Sequence, residues 1–296
     1  MHLPVLADEV TFLLRPRRGG WVVDGTIGMG GHAERLLDAG GSGTRLLGID
    51  RDPEALARAR ERLGRFGDRV TLRHGSFRDL ESHAREAGVD RAVAILLDLG
   101  LSSYQLEGSG RGFSFQKDEP LDMRFDPTRG PTAADLLAGA TEAELTRILF
   151  EYGDERHARR IARRIVDQRH RSALTTTAEL VEAVKGGVPR AAWSHRTHVA
   201  TRTFQALRMA VNHEPEALRE ALGAAPELLE NGGRLGVISF HSGEDRAVKH
   251  AFRALRTRGF VPLDPSPITP SDDETRDNPR ARSAKLRVLE RMEAAA

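Results

Sequence analysis

Residues 24–32 constrain the fold of this chain more than any other stretch. They read Asp-Gly-Thr-Ile-Gly-Met-Gly-Gly-His and follow the apolar run Trp21-Val22-Val23. Apolar residues at helical spacing come next, so the pattern predicts a strand that turns at glycines into a helix. Such a turn leaves backbone N–H groups and a helix N-terminus at the carboxyl edge of a sheet. The charged part of a nucleotide-like ligand can bind at such an edge.

The alternation of strands and helices continues to about residue 100. Further strands are predicted at 45–50, 70–74 and 92–98, and the last is the most apolar, as expected for a central parallel strand. Asp52-Pro53-Glu54 predicts a helix start, because proline suits the first turn and acids favour the positive end of the helix dipole. The alternation indicates a doubly wound α/β sheet with right-handed crossovers.

The pattern changes in the middle of the chain. Residues 108–130 are loop-like, and no convincing strand is predicted between 106 and 203. Helical periodicity covers 132–150, 154–170, 177–186 and 199–211. Strand patterns return at 233–240, 260–263 and 284–289. We therefore predict a discontinuous sheet domain, residues 1–105 and 207–296, interrupted by a helical insert, residues 106–206.

The glycine turn by itself is compatible with two ligands. Gly28-x-Gly30-x-x-Ala33 fits the dinucleotide fingerprint, and Asp50 follows at about the expected distance of 20 residues. The same arrangement serves S-adenosylmethionine, whose ribose hydroxyls also need a carboxylate at the end of the second strand. An NAD-dependent Rossmann oxidoreductase is therefore a competing interpretation.

A second acid, Asp98, ends the fourth predicted strand beside this turn. Methylases of exocyclic amines on nucleobases place a hydrogen-bond acceptor there, usually before a Pro-Pro-aromatic run that this chain lacks. The acceptor is needed because the amine lone pair is delocalised into the ring, and a bond to its N–H group helps the nitrogen attack. The chain has no cysteine, which excludes methylation at cytosine C5 through a thiolate.

Other classes of protein fit the sequence poorly. No apolar run approaches the roughly 18 residues of a membrane helix, and the first residues do not resemble a signal peptide. We therefore expect a cytoplasmic protein that does not bind membranes. Ser102-Ser103 lacks the nucleophile elbow of many hydrolases. His195-x-x-His198 has no further ligands at suitable spacing, so no metal is expected.

Arginines cluster in the predicted insert. Between residues 156 and 171 they are opposed only by Asp167, and they are Arg156, Arg159, Arg160, Arg163, Arg164, Arg169 and Arg171. The apolar residues of the same span recur at helical spacing, and they are Ala158, Ile161, Ala162 and Ile165. Most of the arginines therefore belong on the opposite face, which is a candidate site for RNA phosphates. The alternative is a solvated face paired with acids such as Glu151 and Glu155.

Ten motifs along the chain give it an end-to-end resemblance to one family. They lie at residues 2–6, 24–32, 49–53, 74–77, 97–100, 111–115, 120–124, 201–208, 239–242 and 278–283. In them the sequence resembles the bacterial small-subunit ribosomal RNA (cytosine-N4)-methyltransferases, the MraW family. Two positions depart from the family pattern: Tyr104 is commonly proline, and Gly243 is commonly a larger apolar residue.

The resemblance implies a Rossmann-like class I S-adenosylmethionine-dependent methyltransferase sheet with an inserted all-helical domain that recognises the substrate. The substrate would be 16S rRNA of the small ribosomal subunit, methylated at N4 of cytidine 1402 in the decoding centre. Contacts with S-adenosylmethionine would fall on Gly30, Gly31, His32, Asp50, Phe77, Asp98 and Gln105. Asp98 would lie nearest the chemistry. A non-catalytic RNA-binding ribosome-assembly factor with the same fold is a further alternative, and the oligomeric state is not predicted.

Overall fold

The protein was analysed as a computed structural model, which describes residues 4–16, 19–194 and 197–293. His2 and His195, which belong to patterns named above, lie outside the described residues. The chain forms two compact units. The first consists of Met1–Gly100 with Pro215–Ala296, and the second of Leu101–Glu214. The predicted insert, residues 106–206, falls within the span of the second unit.

The strands lie in the first unit, and both units contain helices. The strands are β1 (Gly20–Asp24), β2 (Thr44–Asp50), β3 (Val70–His74), β4 (Ala92–Asp98), β5 (Leu229–Ser239), β6 (Phe260–Pro262) and β7 (Lys285–Arg291). The helices are α1 (Ala7–Leu14), α2 (Gly31–Gly40), α3 (Pro53–Leu63), α4 (Leu80–Glu86), α5 (Ser103–Glu107), α6 (Ala133–Gly139), α7 (Glu142–Gly153), α8 (Ala158–Arg169), α9 (Thr177–Gly187), α10 (Thr201–Asn212), α11 (Glu214–Leu228), α12 (Ser242–Ala254) and α13 (Asp272–Asp277).

The strands form one sheet in the order β3-β2-β1-β4-β5-β7-β6. Strands β1 to β5 run parallel, whereas β7 is antiparallel to both β5 and β6. The chain order reverses between the neighbours β1 and β4. Open α/β sheets bind ligands beyond the carboxyl ends of the strands at such a reversal. The predicted α/β class, a Rossmann-like sheet with inserted helices, is confirmed.

Two apolar cores cover the faces of the sheet. Helices α1, α2 and α3 pack on one face, and α4, α11 and α12 pack on the other. Successive side chains of a strand point to opposite faces, so Leu96 of β4 enters the first core while Ile95 and Leu97 enter the second. Burial on both faces explains the continuous apolar sequence of β4. In β1 and β4 the charged side chains, Asp24 and Asp98, consequently lie at the carboxyl ends of the strands.

The second unit has its own apolar core, built from helices α6 to α10. Its described residues, 101–194 and 197–214, include one isolated β-bridge between Pro120 and Thr176 but no strand. The long segment before α6 is held by buried polar groups. The Arg111 guanidinium donates to two backbone carbonyls of that segment at 3.0 Å, and Asn212 accepts the Phe125 N–H at 2.7 Å. These bonds stabilise a segment that has little regular structure of its own.

Candidate active site

The glycine turn after β1 is fixed by backbone hydrogen bonds to the neighbouring strands. The Gly25 N–H donates to the Leu96 carbonyl of β4, and the Ile27 N–H donates to the Ile49 carbonyl of β2, each at 3.0 Å. Gly30 precedes α2 with a φ of 81°, in the left-handed region that favours glycine. The turn therefore holds the N-terminus of α2 at the carboxyl edge of the sheet.

Asp50, at the end of β2, braces the same turn through its carboxylate. Oδ2 accepts the Gly28 N–H at 2.8 Å, and Oδ1 accepts the Asp52 N–H at 2.9 Å. Burial raises the pKa of Asp50 to about 6, although these N–H groups favour the ionised form. Each carboxylate oxygen can accept a second bond, so Asp50 retains acceptor capacity for ligand hydroxyls.

Asp24 and Asp98 stand on the two sides of the point where the strand order reverses. Asp24 ends β1 and Asp98 ends β4, and Thr26 connects them. Asp24 Oδ1 accepts the Thr26 N–H at 3.1 Å, and the Thr26 hydroxyl oxygen accepts the Asp98 N–H at 2.6 Å. Asp24 is only 1% exposed, and this burial raises its pKa to about 7, with a further contribution from the charge of Asp50.

The Asp98 carboxylate has an unsatisfied oxygen. Oδ1 is buried and, among the described residues, has no hydrogen-bond partner, while Oδ2 lies 3.6 Å from Nε2 of His32. Burial raises the pKa of Asp98 well above its usual range, and the charges of Asp24 and Glu244 raise it further. A buried acceptor without a donor is destabilising. The site is therefore suited to a ligand that brings an N–H donor or a positive charge.

The charge at this edge of the sheet discriminates between the ligands left open above. Asp24, Asp50 and Asp98 all have raised pKa values, because burial and mutual repulsion disfavour three carboxylates ionised together. A cationic ligand relieves that repulsion. A pyrophosphate adds to it.

The other predicted cofactor contacts lie in both units. Gly30, Gly31 and His32 form the start of α2, where His32 is buried. Phe77 follows β3 and lies beside the glycine turn, since a Cβ on Gly25 would be 3.1 Å from Phe77 Cβ. Gln105 lies in α5 of the second unit.

Gln105 has a local structural role as well. Its Oε1 accepts the Ser102 N–H at 3.0 Å, and its own N–H donates to the Ser102 hydroxyl, which forms a capping box at the start of α5. Its contact with a cofactor stays a prediction, as do those of the other six residues.

Three residues after β5 join the same edge and were given no role from the sequence. Glu244 Oε2 accepts the Phe240 N–H at 2.9 Å, and Oε1 lies 3.1 Å from Nε2 of His241. Glu244 is buried, and its charge contributes to the raised pKa of Asp98. The sequence does contain one pattern that could have identified this segment. His241 and Glu244 are spaced as the N-cap of a helix and the third residue of that helix.

Helix α8 of the second unit carries the predicted arginine cluster. The predicted apolar face is confirmed, because its four residues are all buried. Arg163 lies 3.6 Å from Glu142, and Arg169 donates to two backbone carbonyls at the C-terminal end of α6. Arg159 and Arg160 are exposed and form no ion pair within the part of the chain that the structure describes. Part of this basic face is therefore uncompensated.

The described residues offer neither a metal-binding cluster nor a membrane-spanning helix. Within residues 4–16, 19–194 and 197–293, no group of three or more His, Cys, Asp or Glu side chains could hold a metal ion. Among the same residues we find no helix with the length and apolar character needed to cross a membrane.

Comparison with known proteins identifies the family of this chain. Residues 1–292 match the MraW methylase family. The ribosomal RNA small subunit methyltransferase H of Pelobacter propionicus is 49% identical, and that of Geobacter sp. strain M21 is also 49% identical, each with 98% of both chains covered. A crystal structure titled a putative rRNA-methylase from Clostridium thermocellum aligns over 100% of both chains, with 13% identity and a TM-score of 0.49. A match over nearly the whole chain, with relatives of equal extent at 49% identity, establishes that the chain belongs to the MraW methylase family.

Proposed function

We propose that this protein transfers the methyl group of S-adenosylmethionine to N4 of a cytidine in 16S rRNA, at position 1402 of the decoding centre. The observation that carries the proposal is the Asp98 carboxylate, which is partly buried and has an unsatisfied buried oxygen, at the reversal of strand order. The relatives' names support small-subunit rRNA as the substrate. The choice of N4 and of position 1402 rests on the motifs described above.

The residues at this edge fit S-adenosylmethionine. Its sulfonium and ammonium groups would offset the repulsion among Asp24, Asp50 and Asp98, and the N-terminus of α2 favours its carboxylate. Asp50 keeps acceptor capacity for the ribose hydroxyls, and Phe77 is the proposed neighbour of the adenine. Gly30, Gly31, His32 and Gln105 complete the proposed contacts. When bound, S-adenosylmethionine supplies an electrophilic methyl group.

The same electrostatics argue against NAD. A pyrophosphate would bring negative charge towards Asp24 and Asp98, which already resist ionisation. Binding would then require one or more of these carboxylates to stay protonated, so affinity for NAD should fall as the pH rises above about 7. We therefore favour the methyltransferase over the oxidoreductase.

Asp98 is the proposed catalytic residue. Its carboxylate would accept a hydrogen bond from the target amine, which orients the amine and draws its lone pair away from the ring. After the methyl group is transferred, the nitrogen carries an extra proton, which must leave to restore the neutral amine. The Asp98 carboxylate, kept ionised by the sulfonium charge beside it, would accept this proton. Most of the remaining acceleration would come from holding the two reactants in line.

The second unit is the proposed substrate-recognition domain. The exposed arginines of α8, with Arg159 and Arg160 uncompensated, provide a surface for RNA phosphates. The target base must leave its stack to reach the sheet edge, so single-stranded or splayed RNA is the expected form of the substrate. Since small subunits are assembled in the bacterial cytoplasm, we place the protein there.

Calorimetry with separate ligands tests the cofactor, and single-turnover assays test the chemistry. We expect the protein to bind S-adenosylmethionine and not NAD, and to label 16S rRNA with the cofactor's methyl group. Asp98→Ala should lose this labelling while keeping the circular dichroism spectrum of the wild type. Binding of NAD alone would support the oxidoreductase. Labelling that survives Asp98→Ala would overturn the assigned role of Asp98.

A further inference from the structure

We propose that Phe240 is the platform on which the target base stacks, and that Glu244 and His241 hold this platform in position. The inference rests on the proposed function, because the base is the substrate of that reaction. It assigns a substrate-positioning role to a segment of the first unit that the cofactor contacts do not include.

Strand register places Phe240 close to Asp98. Asp98 of β4 pairs with Ile238 of β5, and Phe240 follows two residues later. Residues two apart share a face of a strand, and both Leu96 and Ile238 belong to the core beneath α1, α2 and α3. Phe240 packs against that same core, so it lies on the same face as Asp98.

The distance between the two residues suits a pyrimidine. Neighbouring strands lie about 4.8 Å apart and rise about 3.3 Å per residue, so the Cα atoms of Asp98 and Phe240 are about 8 Å apart. A base whose amine bonds the Asp98 carboxylate can therefore extend its ring over the Phe240 side chain. The contribution of Glu244 to the pKa of Asp98 independently indicates that this segment is close to the carboxylate.

The Phe240 ring is only partly buried, and Gly100 allows the chain after β4 to pass close to it. A Cβ on Gly100 would lie 3.3 Å from Cδ2 of Phe240, and the φ of 103° at Gly100 is one that other residues rarely adopt. Phe240 packs against the core beneath α1, α2 and α3 and keeps intermediate exposure to solvent. Base–aromatic stacking uses a ring in this way and tolerates different bases.

Glu244 and His241 fix the backbone from which this ring projects. Glu244 Oε2 accepts the Phe240 N–H at 2.9 Å, and Oε1 lies 3.1 Å from Nε2 of His241. The Glu244 N–H donates to Nδ1 of His241 at 3.4 Å. His241 therefore caps α12 through Nδ1, while its Nε2 lies beside the Glu244 carboxylate without a hydrogen bond among the described residues. The cap makes His241 a positioning residue.

The start of α12 is in turn tied to the antiparallel edge of the sheet. Asp245 accepts a hydrogen bond from Nε of Arg287 at 2.7 Å and lies 3.4 Å from Nζ of Lys285, both in β7. These contacts fix the turn from β5 into α12. The ring is therefore pre-positioned, which lowers the entropy that base binding must offset.

Steady-state methylation of 16S rRNA by the variants Phe240→Leu and Phe240→Tyr tests the proposal. Leucine keeps the apolar contact with the core but cannot stack, whereas tyrosine can. We expect Phe240→Leu to lower kcat/KM for RNA by about tenfold or more, because it removes the stacking free energy of one base. The kcat/KM of Phe240→Tyr should stay within about threefold of the wild-type value, because a tyrosine ring can still stack. In calorimetry both variants should bind S-adenosylmethionine with the wild-type affinity. Wild-type kcat/KM in Phe240→Leu, or equal losses in both variants, would overturn the proposal.

Phe252→Leu is the matched control. Phe252 also belongs to the segment after β5, in α12, but it is buried in the core on the other face of the sheet. The Phe252→Leu substitution should lower the melting temperature and leave the KM for RNA unchanged. Glu244→Gln keeps an oxygen acceptor for the Phe240 N–H and should retain more activity than Glu244→Ala. Similar losses in these two Glu244 variants would contradict the positioning role.

A tryptophan at the same position gives a direct signal. Phe240→Trp should show fluorescence quenching when RNA containing the target cytidine is added, relative to RNA with an abasic site there. Equal quenching by both RNAs would overturn the stacking role. If the wild type itself makes no N4-methylcytidine, the proposed function fails. If the wild type does so and Phe240→Leu equals it, only this inference fails.

Discussion

Replacing Asp24 by asparagine should change the stability of the ligand-free protein in a pH-dependent way. Burial raises the pKa of Asp24 from 3.8 to about 7. The folded state therefore binds the proton more tightly than the unfolded state does. The stability associated with this proton is complete below about pH 4 and is lost as the pH rises through about 7. An asparagine imitates the protonated carboxyl group and does not titrate.

The magnitude follows from the two pKa values. At 1.36 kcal/mol per pKa unit, ionisation of Asp24 costs the folded state about 4 kcal/mol once the pH exceeds 7. At pH 5 the cost is about 1.7 kcal/mol, because the unfolded chain is already ionised there. The advantage of Asp24→Asn over the wild type should therefore grow by about 2.5 kcal/mol between pH 5 and pH 8. Any constant penalty from the buried amide cancels in this difference.

Urea unfolding at pH 5, 6, 7 and 8 without cofactor measures this difference. Asp245→Asn serves as the control, because the Arg287 side chain holds the pKa of Asp245 below its usual value against the effect of burial. The Asp245 variant should be destabilised and should show no gain as the pH rises from 5 to 8. A stability difference for Asp24→Asn that does not change over this pH range would refute the assigned electrostatics. Asp24→Asn should also bind S-adenosylmethionine more weakly than the wild type does at pH 8.

Three further predictions concern ligands. Affinity for S-adenosylmethionine should rise from pH 5.5 to pH 8, because Asp50 with a pKa of about 6 and Asp24 with a pKa of about 7 ionise over this range. The affinity for S-adenosylhomocysteine, which lacks the sulfonium charge, should change less with pH. Equal pH dependences of the two affinities in calorimetry would contradict this. Asp98→Asn, which keeps one oxygen acceptor, should retain more methylation than Asp98→Ala in single-turnover assays, and equal rates would argue against the hydrogen bond. Arg160→Glu should weaken RNA binding and lower the slope of log K against log salt by about 1. Arg147 is already paired with Glu151, so Arg147→Glu should change that slope less. Equal changes of the slope in the Arg160 and Arg147 variants would place the RNA surface elsewhere.

The sheet was predictable because its signals are local. Alternating apolar runs and glycine or proline breaks mark β1 to β4, and the observed strands agree with the predicted ones within a few residues. Asp50 and Asp98 could be recognised as candidate site residues because each ends a parallel strand. The carboxyl ends of parallel strands meet at one edge of a sheet, so sequence position alone brings these acids together.

The rest of the candidate site depends on contacts between distant parts of the chain. Phe240 and Glu244 lie near Asp98 because β5 is the neighbour of β4, although more than a hundred residues separate the two strands in sequence. No local pattern states that strand order. The raised pKa of Asp24 is equally hidden, because it depends on how completely the fold removes the carboxylate from water.

The proposed reaction modifies one atom of one nucleotide, which nucleoside mass spectrometry can identify. Small subunits from a strain that lacks the gene for this protein would be incubated with S-adenosylmethionine and either the purified protein or its Asp98→Ala variant. We expect N4-methylcytidine at position 1402 with the wild type and none with the variant. A methyl group on another atom or nucleotide would contradict the proposed function, and so would the absence of methylation by a protein that binds the cofactor.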